Sequence, residues 1–145
     1  MISAVYDGLV TAHVVFAVIG FASIALSGVY GALARRPAGS EREEVSRFFA
    51  SRLWTEWFVL PVPLLGAAAL AVKPHGGDFS EAWVVIGIVV WALAAALLFG
   101  VVRPSEARIR AATKVESSGR TLMLSAMVSD LLFVVALAVM VTQPR

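Results

Sequence analysis

Residues 83–102, WVVIGIVVWALAAALLFGVV, run for twenty positions without an ionisable side chain. A helix rises about 1.5 Å per residue, so about 20 apolar residues span the roughly 30 Å hydrocarbon layer of a bilayer. This stretch therefore reads as a membrane span. Three more runs have the same character: about 9–33, 53–72 and 121–141. Together the four runs take up most of the 145 residues, which predicts one all-α domain over residues 1–145, a four-transmembrane-helix bundle. The segment from Lys73 to Asp78 reads as a tight polar turn, and Asp78 or Ser80 is placed to cap the third span. Asp7 is placed to cap the first. Pro61 and Pro63 lie inside the second span, where each removes a backbone donor, so a bend is expected there. Arg103-Pro104 reads as the exit of the third span.

Composition agrees with that reading. Hydrophobic residues make up 59% and charged residues 15%, against roughly a quarter charged in soluble domains. Mean hydropathy is +0.84. The chain has no cysteine, which excludes disulfides, thiolate metal sites and iron–sulfur clusters. Net charge is +2 and the pI near 9.5. The basic residues flank the spans, where membrane orientation accounts for them, so nucleic-acid binding is not expected.

Arginine and lysine also predict the orientation. Arg35, Arg36, Arg42, Arg47 and Arg52 fall in the first connector, and Arg103, Arg108, Arg110, Lys114 and Arg120 in the third. Only Lys73 and Arg145 fall on the other side. Basic connectors resist translocation, so both rich connectors are expected in the cytoplasm and both termini outside, as two helical hairpins in a cell inner membrane. Ala32-Leu33-Ala34 resembles a signal cleavage site, yet no Lys or Arg precedes the first run and two follow it. The first span is therefore expected to be retained. Ser40 and Glu43 have capping-box spacing, opening an amphipathic cytoplasmic helix with Val45, Phe48 and Phe49 on one side. Arg36-Pro37 and Arg103-Pro104 follow spans in similar contexts, which admits either an internal duplication or the shared needs of two cytoplasmic loops.

Asp130 is the most informative side chain. It stands nine residues after Thr121 and eleven before Val141, near the midplane of the fourth span. A carboxylate there costs about 2.5–3.5 kcal/mol on insertion scales. It must be protonated, paired, or turned toward water or a partner; hydroxyls of Ser23 or Ser27 are possible structural partners. Glu56, near the cytoplasmic boundary, has Arg52 four residues earlier for a local ion pair. His13 in the first span is either a hydrogen-bonding helix packer or, across two copies, a haem ligand. Gly20, Ser23, Ser27 and Gly31 on the first span, and Ser125 and Ser129 on the fourth, form small-residue stripes suited to close helix packing, inside the bundle or against a partner. Trp54, Trp57 and Trp83 sit near span ends at interfacial depth, and Trp91 lies deeper.

His13, Arg103-Pro104 and the ending Met140-Val141-Thr142-Gln143-Pro144 resemble a family of small bacterial four-helix membrane proteins catalogued as a domain of unknown function. That resemblance implies the four-helix membrane fold and carries no activity. The residues themselves assemble no nucleophile–base pair and no metal cluster, so neither an enzyme nor a bound cofactor is expected. The leading expectation is a non-enzymatic accessory subunit of a larger inner-membrane assembly, such as a lipid or solute transporter or a respiratory complex. Its partners would be other integral membrane subunits, with Arg35, Arg36, Arg103, Arg108 and Arg110 docking a cytoplasmic component or anionic headgroups. The alternatives are a small oligomeric proton-coupled transporter or channel using Asp130, and a haem- or redox-cofactor-binding bundle using His13.

Overall fold

The computed structural model describes residues 2–35, 47, 55–73 and 78–142. Among them every regular element is helical, and there is no strand. Helix α1 spans Ile2–Leu33, α2 Thr55–Val59, α3 Val62–Ala71, α4 Ala82–Leu97, α5 Arg103–Arg110 and α6 Val115–Thr142. A π-helical turn, Leu98–Val102, joins α4 to α5, so residues 82–110 form one continuous rod. Three helices are long and apolar enough to cross a membrane: Ile2–Leu33, Ala82–Arg110 and Val115–Thr142. The apolar helix Thr55–Ala71 is shorter. The expected segment from Ser40 to Phe49, with Trp54 and Arg52, lies outside the described residues, Arg47 excepted.

Local chemistry explains where the helices begin, break and end. Asp7 does not cap α1, which already starts at Ile2; instead its carbonyl accepts the Thr11 hydroxyl at 2.7 Å. The second apolar run breaks at the expected prolines. Leu60 N–H still reaches Glu56 at 3.0 Å, but Pro61 has no N–H to continue the ladder. Pro61 then becomes the N-cap of α3 with Pro63 in its first turn, where a missing donor is harmless. At the start of α4 the N-cap is Glu81, in extended conformation, rather than Asp78 or Ser80. Asp78 accepts hydrogen bonds from the N–H and hydroxyl of Ser80, at 2.8 and 2.7 Å. Those two donors hold its carboxyl below the ordinary carboxylate value of 3.8, the backbone N–H contributing most.

Arg103-Pro104 does not end the third helix. Arg103 N–H bonds back five residues to Leu98, and this widened turn re-registers the ladder so that Pro104 falls in the first turn of α5. The chain leaves the rod only at Ala111–Lys114, where Ala112 and Lys114 take positive φ of 52° and 48°. Helix α6 follows at once and begins six residues before the expected span.

Helix α1 is the hub. It runs antiparallel to α6, with Gly31 opposite Leu122, Gly28 opposite Ala126, and Phe21 stacked on Phe133 at 4.8 Å. On its other side it runs antiparallel to α2 and α3, with Ser23 at Thr55, Gly20 at Val59, Phe16 near Phe58 and His13 at Gly66. The rod of α4 and α5 completes the bundle against α6. The buried core, Ile24, Val59, Leu98, Val102, Ile109 and Leu122, gathers toward the end that carries the arginines. Leu64, Leu93, Leu131 and Val141 instead point outward. Such broad apolar exteriors need an apolar surrounding.

The small-residue stripes serve packing within the bundle. A Cβ on Gly31 would lie 2.8 Å from Leu122 Cβ, and one on Gly20 2.8 Å from a Val59 methyl. On α6, Gly119 meets the Gly31 carbonyl oxygen, which is backbone and cannot step aside. Ser125 and Ser129 are buried on the face of α6 that packs inward, and Ser125 donates to the Thr121 carbonyl at 2.8 Å. Without hydrophobic driving force between helices in lipid, this close backbone approach is the source of cohesion.

Candidate functional site

Polar side chains converge at the arginine-bearing end of the core. The Ser23 hydroxyl donates to Thr55 Oγ1 at 2.8 Å, tying α1 to α2. One turn further along α1, Ser27 donates to the Glu106 carboxylate at 2.8 Å, tying α1 to α5. Glu56 of α2 forms an ion pair with Arg103 at the start of α5. Three helices, α1, α2 and α5, are thus joined pairwise by polar contacts. Glu106 is 3% exposed, and a carboxylate at that burial is stable only with donors around it. Ser105 and Ser118 are buried in the same region.

The π-helical turn sets this geometry. Shifting the ladder by one residue rotates α5 relative to α4, so that Arg103 meets Glu56 while Ser105, Glu106 and Ile109 turn inward. Arg108 and Arg110 remain exposed at the surface, as does Arg35; Arg36 lies outside the described residues. Arg103 is therefore half-buried in an ion pair rather than presented for docking. Glu56 has a partner on the third helix, across the bundle; Arg52, the partner expected on its own helix, lies outside the described residues.

Glu106 is not among the residues the sequence singles out, because it stands among the charged residues that follow Arg103-Pro104. The signal was present in the spacing. Leu98, Val102, Glu106 and Ile109 follow one another at intervals of four, four and three, so the buried stripe of the third span passes straight through Arg103-Pro104.

The remaining sequence-selected residues are not gathered into this site. His13 sits toward the other end of α1, its Nδ1 2.8 Å from the Val62 carbonyl oxygen. A carbonyl only accepts, so Nδ1 carries the proton of that bond. Ser23 and Ser27 have other partners, and Asp130 bonds to neither. Asp130 instead lies exposed on the outer face of α6, flanked by exposed Met127, Leu131 and Val134. It makes no hydrogen bond or ion pair among the described residues. Among those residues no group of three or more His, Asp or Glu is arranged to hold a metal ion.

Trp91 has a structural duty that its depth did not reveal. Pro63 cannot donate to the carbonyl of Val59, four residues earlier, and Val59 is buried. The Trp91 indole N–H fills that vacancy at 2.9 Å and links α4 to α2. Near the opposite end, the Lys73 ammonium lies 5.7 Å from the Trp83 ring centre, and the indole N–H of Trp83 bonds to Glu81.

Fold and sites together define an all-helical bundle with three helices fit to cross a membrane. No family model, curated protein or solved structure matches the chain.

Proposed function

We propose that this chain crosses a cell inner membrane four times, with both arginine-rich connectors in the cytoplasm, and acts as a non-enzymatic subunit of a larger membrane assembly. The remaining crossing is the shorter apolar helix Thr55–Ala71. The distribution of Lys and Arg supports the orientation.

The observation that carries the subunit reading is the outward-facing Asp130. Every other acidic side chain named within the bundle has a partner: Glu56 has Arg103 and Glu106 has Ser27. Asp130 stands alone in an apolar band of α6. Left against lipid tails, a carboxylate at mid-span carries a cost of about 2.5–3.5 kcal/mol. A donor from a neighbouring membrane helix removes that cost, and Met127, Leu131 and Val134 supply the apolar surface around such a contact.

Tagged protein extracted from its own membranes in mild detergent tests the proposal. Wild-type protein is expected to carry specific membrane partners, and Asp130→Asn to lower their recovery about tenfold. Recovery of a lone wild-type monomer in several mild detergents overturns the subunit reading. Recovery of copies of this chain alone would favour the oligomeric transporter using the same aspartate.

A further inference from the structure

At the end of the bundle remote from the arginines, α3 and α4 part, and a cavity of about 140 Å³ opens between them, backed by α1 and α6. Its floor is the level at which Trp91 reaches across to Val59. Phe21, Trp83, Trp91, Phe133 and Met140 form much of its wall, and His13 is the one ionisable side chain among the described residues that line it.

We propose that this cleft binds a hydroxylated aromatic ring bearing an apolar tail, of the hydroquinone class, whose hydroxyl donates to His13 Nε2. Three observations point to that chemistry. The first is size: a dry cavity of about 150 Å³ accommodates benzene, so this one holds a single six-membered ring and leaves a longer chain to run out between α3 and α4. The second is the wall, whose aromatic rings favour stacked or edge-on contact with another ring. The third is the histidine. Its Nδ1 proton is committed to the Val62 carbonyl, and Nε2 makes no hydrogen bond among the described residues. In that tautomer Nε2 is an acceptor and asks for an O–H.

The ring of His13 is also held in place. It lies against Gly66, where a Cβ would stand 3.0 Å from Cε1. A glycine at that position lets the Cε1–Nδ1 edge of the imidazole approach α3 closely while the Val62 carbonyl holds Nδ1. An oxidised quinone or an ether of the same ring has no proton to offer Nε2 and is bound less well. This inference does not depend on Asp130 or on any partner protein.

The test uses the full chain in nanodiscs, with Trp54→Phe and Trp57→Phe so that emission comes from Trp83 and Trp91. Decylhydroquinone, its quinone and its dimethyl ether are titrated without oxygen, following fluorescence quenching. Saturable quenching by the hydroquinone is expected, at least tenfold tighter than by the ether. His13→Phe should bring the hydroquinone and the ether to equal affinity. Gly87→Leu serves as a second variant. A Cβ there meets only the Met140 methyl at 3.8 Å, so the backbone tolerates it while the longer side chain fills the cleft. It should abolish saturable quenching with helicity and thermal midpoint unchanged. Quenching that rises without saturation for all three compounds, or equal wild-type affinity for hydroquinone and ether, overturns the proposal.

Discussion

Trp91→Phe removes one N–H from the bundle and keeps an aromatic ring in its place. What it exposes is the carbonyl of Val59, a residue 1% exposed, whose helical donor Pro63 cannot provide. An unsatisfied buried carbonyl costs about 1–3 kcal/mol, while hydrogen bonds between helices in membranes reach about 1.7 kcal/mol. A loss of about 1.5 kcal/mol follows, or roughly tenfold in the folding equilibrium. The decisive step is a second change. Pro63→Ala returns an N–H four residues beyond Val59, so the carbonyl regains a local donor and the indole becomes redundant. In that background Trp91→Phe should cost only its lost packing, leaving a coupling energy of about 1 kcal/mol between the two sites. Reversible unfolding in bicelles, measured for the wild type, both single variants and the double, gives that coupling directly. If the two substitutions are additive within about 0.3 kcal/mol, Trp91 does not replace the donor that proline removed.

Three further outcomes follow from the same structure. Gly119→Ala should destabilise the chain by about 2 kcal/mol or more, because its Cβ meets the Gly31 carbonyl and α1 must move away from α6; Gly8→Ala, with nothing within 4 Å, should be neutral or stabilising by up to about 1 kcal/mol, and the same unfolding assay compares them. Glu106→Ala should cost about 1–3 kcal/mol by taking the acceptor from the buried Ser27 hydroxyl, whereas Asp130→Ala should leave monomer stability within about 0.5 kcal/mol. Asp78 has a depressed carboxyl in the folded chain, so its bonds to Ser80 stabilise the turn fully above the ordinary value of 3.8 and are lost as pH falls through the lower folded value; amide exchange at Ser80 should rise in that acid range, and Asp78→Asn should flatten the response.

Much of the architecture can be read from residue order alone, for a local reason. Twenty residues without an ionisable group at 83–102 commit to a helix in an apolar setting whatever surrounds them. The prolines at 61 and 63 break the ladder wherever they stand. Gly31, Ser125 and Ser129 carry a packing signal in their spacing, and the bundle uses them inside. At Arg103-Pro104, the expected exit of the third span, a π-helical turn absorbs the proline and the helical rod continues to Arg110. The reading failed where a local capping rule met a neighbour's geometry. Asp7 and Asp78 look like caps, and each helix starts elsewhere.

Polar residues divide along the same line. Residue order alone puts the Asp130 carboxylate in an apolar run and an arginine within reach of Glu56, because both follow from distance along one helix. The packed bundle is what turns Asp130 outward with no partner among the described residues, brings Arg103 of another helix to Glu56, and seals Glu106 beside Ser27. Spacing reports the face of a helix on which a side chain stands. Which face is inward is settled by the helices packed against it, and that information is distributed over segments dozens of residues apart.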